Sequence, residues 1–207
     1  MTVTPGDLRA VLAWSHATLF HHRSADWARR AGVPTWTCRR TLDHLPNTML
    51  FYSAHLATRA TERIPPVRDC DPAASLDDLF NAVQATGAIL AALADAAPPG
   101  ARAFHPAGMA DREGFCAMGC DELLVHTYDI GCGLGIDVVP PGDVHARVLA
   151  RLFPWAPAGD PWPTLLWANG RVALDDRPRV DPDWYWWCAP LAEWDGSVHR
   201  RTAPPLG

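Results

Sequence analysis

The chain has 207 residues, 48% of them hydrophobic and 20% charged, with a net charge of -5. That is enough apolar material for one domain with its own core. The acidic balance offers no basic face for phosphates and excludes a general nucleic-acid binder.

Thr4-Pro5-Gly6-Asp7 is a helix start, with Thr4 as cap and Pro5 in the first turn. It opens a first helix over residues 4–22, with Leu8, Val11, Leu12, Ser15 and Leu19 on one stripe. His16, His21 and His22 near its end read as solvated, dipole-favoured side chains. A connecting loop follows, with Trp27 tucked in. Thr35 or Thr37 caps a second helix that continues to about residue 62, and its core face carries Leu45, Thr48, Phe51, Tyr52 and His55. Pro46 inside it removes a backbone donor and favours a kink. Residues 64–72 form a surface loop. Ser75, followed by Asp77 and Asp78, caps a third helix that runs to about residue 97. Residues 101–115 read as irregular, and Asp111 or Arg112 leads into a fourth helix.

That fourth helix holds the stretch 115–135, FCAMGCDELLVHTYDIGCGLG. Glu122 and His126 are four residues apart, so their side chains lie ~40° apart on one face. A carboxylate and an imidazole so placed can reach one metal ion. His44, on the second helix, is the candidate third ligand. On its own it reads more simply as a hydrogen-bonded core histidine. Asp129, three residues after His126, is either a partner that orients a ligand imidazole or a salt-bridge residue near the helix end. Thr48 and His55 share the side of the second helix that bears His44 and are candidate pocket residues. Gly131, Gly133 and Gly135 lack the strand-turn-helix setting and the Lys-Ser/Thr of a nucleotide loop, and serve to end the helix.

Pro140-Pro141-Gly142-Asp143 opens a short fifth helix ending near residue 153. Residues 154–207 are rich in Pro and Trp and read as an irregular wrap or lid belonging to the domain formed by residues 1–153. Asn169-Gly170 and Asp195-Gly196 mark turns there. WYWWC, residues 184–188, is a short strand or an aromatic packing segment, and the last eight residues are expected to fray. The six cysteines make no CxxC pair and are expected to be reduced, with Cys116 and Cys120 packed as small hydrophobes. The longest charge-free run, residues 81–94, is too short to span a bilayer, and the N-terminus has no signal-peptide pattern. A cytoplasmic protein without a membrane partner is therefore expected.

ADW (25–27) followed by PTWTCRRTLDHL (34–45), DELLVHTYDIGCGLG (121–135) and LLWANGRVAL (165–174) together resemble the DinB-like superfamily. More narrowly they resemble its mycothiol-dependent maleylpyruvate isomerase group, and the similarity spans nearly the whole chain. The resemblance implies a mainly α, four-helix bundle with a divalent metal, usually zinc, held by His44, Glu122 and His126. It also implies mycothiol as a co-substrate, a small-molecule substrate, and a contribution from the C-terminal segment, where Arg171 is the candidate cation. A homodimer is compatible with it.

Two imidazoles and one carboxylate leave a coordination position open, as catalytic zinc sites do, although Ni, Fe or Mn also suit these ligands. Three readings follow. The first is a thiol transferase or isomerase, with His55, Asp129 and Arg171 in catalytic roles and Thr48 at the cofactor. The second is a metal-dependent hydrolase or cyclase that uses no thiol. The third is a non-catalytic bundle that binds a metal or small molecule.

Overall fold

The computed structural model describes residues 2–200 and shows a mainly α fold. Among these residues are six α-helices, in order α1 (Pro5–Phe20), α2 (Cys38–Thr58), α3 (Leu76–Ala96), α4 (Arg112–Leu134), α5 (Val144–Leu152) and α6 (Pro161–Ala168). An antiparallel hairpin of β1 (Arg102–His105) and β2 (Gly108–Asp111) precedes α4.

The helix starts follow from capping chemistry. Thr4 and Ser75 each close a reciprocal box with the aspartate three residues on, and Thr37 and Asp111 cap α2 and α4 through their side-chain oxygens. Helix α2 stops at Thr58, short of the expected end, because Arg59 turns into the left-handed region (φ 51°) and its N–H bonds back to the His55 and Leu56 carbonyls.

The long helices pack so that α1 and α2 each lie against α3 and α4. Helix α3 has the length and apolarity of a membrane span, contrary to the expectation from residues 81–94, but Leu79, Phe80, Val83 and Leu90 are buried against its neighbours. Helix α4 is enclosed nearly all round, with α1, α2, α3 and α5 as its walls. A helix so placed must satisfy every polar side chain internally. It does: Asp121, Glu122, His126, Thr127 and Asp129 are all buried and all hydrogen-bonded.

A simple four-helix bundle with one short extra helix does not describe the molecule. Residues 161–168, expected to be irregular, form α6, with Asp160 as cap and Pro161 at its first position. Residues 102–111, also expected to be irregular, form the hairpin, which packs on α2 through β1 and on α4 through β2. In the C-terminal segment Trp184 makes one isolated bridge, to Arg200, and WYWWC is chiefly aromatic packing. Phe153, Trp155, Trp167, Trp184 and Trp186 form a chain of ring contacts with centroids 5.3–5.8 Å apart. The expected fraying beyond Arg200 concerns residues outside those described.

The segment is seated on the first turn of α4. Gly114 lies so close to it that a methyl group there would collide with the Cys188 carbonyl oxygen, which is backbone and cannot swing aside. Gly114→Ala is therefore expected to destabilise the fold by on the order of 1–3 kcal/mol. Thermal melts of the two proteins check this.

Candidate metal centre

Helix α2 brings His44 and helix α4 brings Glu122 and His126 to one point, where ligand atoms of the three side chains lie within 4.8 Å of one another. Glu122 Oε2 is 3.1 Å from His126 Nε2 and 3.6 Å from His44 Nε2. Two ligands of a tetrahedral ion with bonds of about 2.0–2.1 Å stand about 3.3–3.4 Å apart, so these separations suit a divalent ion. The atoms that do not face the centre are engaged elsewhere. Glu122 Oε1 accepts from the Tyr52 hydroxyl at 3.2 Å. His126 Nδ1 is 3.0 Å from Asp129 Oδ2, which fixes the ring so that Nε2 faces Glu122.

Asp129 is in turn gripped by Arg171, whose Nε and Nη2 both donate to it, with Nη2 at 2.8 Å from Oδ2. Arg171 Nη1 donates to the Asn169 carbonyl. Asp129 thus both hydrogen-bonds His126 and pairs with Arg171, so the two alternative roles read from the sequence do not exclude one another. Thr48 Oγ1 lies 3.0 Å from His44 Nε2, so its hydroxyl borders the point between the ligands.

His55 is not brought into this group. Its Nδ1 donates to the Phe51 carbonyl at 2.8 Å and its Nε2 accepts from the Ile64 N–H at 3.1 Å. Both ring nitrogens are thereby spent on backbone, and the side chain is fully buried as a staple for the loop after α2. Its expected catalytic place is corrected to a structural one.

The charges reinforce one another. Burial pushes the Glu122 carboxyl up, but hydrogen bonds from His126 and His44 outweigh it and hold the group well below the usual carboxylate range. Burial alone would lower His126; Asp129 and Glu122 instead push it up to about 9. Asp129 is likewise held down by His126 and Arg171 against its burial. The metal-free centre is therefore an ionised carboxylate paired with a protonated imidazole. It opens on one side: the side chains of Glu122 and His126 each expose 10%, whereas that of His44 exposes 27%. Trp36 walls that side, its ring 5.0 Å from His44 and 6.5 Å from His126.

Several contributors are not evident from the sequence pattern. Tyr52 reads there as a core residue, although its place eight residues after His44 and four after Thr48 puts it on the same stripe. Asp121, beside Glu122, accepts from Trp186 Nε1 at 2.8 Å and Asn169 Nδ2 at 3.0 Å and so ties the C-terminal segment to α4. Burial pushes its carboxyl up to about 7 against those hydrogen bonds, with help from the Glu122 charge. The signal for it is an acidic pair inside the otherwise apolar run of residues 115–125.

Fold and site together define a mainly α protein with a three-residue cluster able to coordinate a divalent metal. No protein-family model, curated protein or solved structure matches the chain.

Proposed function

We propose that this is a DinB-like divalent-metal enzyme that uses a low-molecular-weight thiol of the mycothiol type on a small electrophilic substrate. The observation that carries the proposal is the cluster itself: three donor atoms converge while the outward atoms of Glu122 and His126 are tied down, and the His44 side stays open. Closed structural zinc sites use four ligands, mostly cysteine, and the buried Cys116 and Cys120 have no part in this cluster.

His44, Glu122 and His126 hold the ion, with zinc the expected one. When bound, such an ion keeps a coordinated thiol deprotonated at neutral pH. Asp129 keeps the His126 proton on Nδ1, so that Nε2 presents its lone pair. Arg171 keeps Asp129 ionised and in place. Trp36 and Thr48 border the open side, where the thiol and substrate meet. Addition of the thiolate sulfur to an electrophilic alkene, with the neighbouring carbon taking a proton from water, would give a thioether. Addition, rotation and elimination return the thiol and leave the alkene isomerised.

The test is metal content after purification without chelator or nickel affinity resin, beside His44→Ala and His126→Ala. About one ion per wild-type chain, lost in both variants, followed by saturable mycothiol binding, is the expected result. A wild-type protein that carries no metal and takes up no zinc would overturn the reading.

A further inference from the structure

We propose that Tyr52 is a positioning residue that restricts Glu122 to one coordinating oxygen and so preserves the open position on the ion. The proposal rests on the metal-binding reading above and concerns what sets the coordination number.

A carboxylate can offer a cation one oxygen or two. With two imidazoles already committed, the second oxygen would occupy the position a thiol or substrate needs. Glu122 divides its oxygens between two tasks. Oε2 faces both imidazoles, at 3.1 and 3.6 Å. Oε1 is turned away and accepts the Tyr52 hydroxyl at 3.2 Å. An ionised carboxylate only accepts, so the phenol is the donor.

The phenol cannot follow Glu122 if the carboxylate rotates. Tyr52 is 2% exposed, and its ring is wedged among Phe51, His105 and Phe115 with centroids 6.0, 5.7 and 5.8 Å away. For Glu122 to use both oxygens, Oε1 would have to swing towards the ion, and the buried phenol could not follow it, so the 3.2 Å hydrogen bond would be stretched or broken. The restraint is built into α2: His44, Thr48 and Tyr52 recur every four residues, giving one ligand, one hydroxyl at the rim and one clamp behind the carboxylate. A buried tyrosine bonding merely the nearest acceptor would make the same contact, so the test must read coordination and not stability alone.

Tyr52→Phe removes only the hydroxyl. Wild type and variant are loaded with Co²⁺ and with Zn²⁺. The wild type is expected to give the intense visible bands of four-coordinate cobalt. The variant is expected to keep its helical circular dichroism and to lose the intensity of those bands as a second carboxylate oxygen raises the coordination number. An unchanged cobalt spectrum in a folded variant that still takes up the ion would overturn the proposal, whatever its affinity, while leaving the metal site standing. A wild type that binds neither ion would overturn both. Should the variant fail to fold, zinc-edge X-ray absorption of the wild type decides: four-coordination with a single carboxylate oxygen supports the proposal, and a two-oxygen carboxylate refutes it.

Discussion

Replacing Glu122 by glutamine is expected to abolish stoichiometric metal binding and to bring the His126 pKa down from about 9. The amide keeps the shape and can still accept from Tyr52, but it loses the charge that both imidazoles face. Because the wild-type pair is buried, its loss in metal-free protein is expected to destabilise the fold by about 3 kcal/mol. The pH dependence has a definite sign. His126 is raised above its ordinary 6.5, so its contribution is fully present below about pH 6.5 and is lost as pH rises through about 9. Glu122 is lowered from its ordinary 4.5, so its contribution is present above that value and is lost on acidification. Metal-free wild type should thus lose stability towards pH 9, while the variant shows a flatter profile. Metal uptake runs the other way: at pH 7 the ion must displace the proton on His126 Nε2, so zinc affinity should rise with pH up to about 9. Melting curves from pH 5 to 10 with and without zinc, together with NMR titration of His126, measure all three effects. An unchanged His126 titration in the variant would refute the coupling.

How far the sequence led depends on the kind of signal. Caps are local, so the starts of α1 and α3 were legible from Thr4 and Ser75, and those of α2 and α4 to within a residue or two, Thr35 or Thr37 and Asp111 or Arg112, of which the structure uses Thr37 and Asp111. The Glu122/His126 pair was legible because four-residue spacing is itself geometry. The choice of His55 shows where that reasoning fails. Eleven residues from His44 bring a side chain back to within ~20° of the same face, but also ~16 Å along the axis. Thr48, one turn on, stays within reach, and Tyr52, two turns on, meets Glu122 only because its side chain is long. Helix α6 was obscured by Pro161 and Pro163, which a first turn tolerates. The hairpin was obscured because RAFHPAGMAD shows no apolar alternation. Contacts between distant segments, such as Asp121 with Trp186 and Asn169, leave no local periodicity at all.

Arg151→Ala is expected to lower stability by about 3–5 kcal/mol, which for a chain of this size is a fall of ~6–20 °C in Tm. Arg151 is 1% exposed, a full charge at the junction of three segments. From α5 it donates to Asp111 Oδ1 at 2.7 Å, to the Trp187 carbonyl at 3.0 Å and to the Cys188 carbonyl at 3.3 Å. Asp111 also caps α4 through the Gly114 N–H at 2.6 Å. One guanidinium thus joins α5, the first turn of α4 and the backbone of the C-terminal segment. Removing it leaves the half-buried Asp111 carboxylate without this cation and the buried Trp187 carbonyl without this donor, beside a cavity. Lysine should recover only part of the loss, since a single ammonium cannot span acceptors placed for a planar fork. The three candidate ligands, however, lie on α2 and α4, with Tyr52 and Asp129 hydrogen-bonded to Glu122 and His126. At saturating zinc the variant should therefore still bind one ion per chain, while fluorescence from the tryptophans at 184, 186 and 187 reports a loosened segment. If the ion is lost together with the segment, the segment's ties to Asp121 and Asp129 are part of what holds the three ligands in register, and the centre is built by the whole chain.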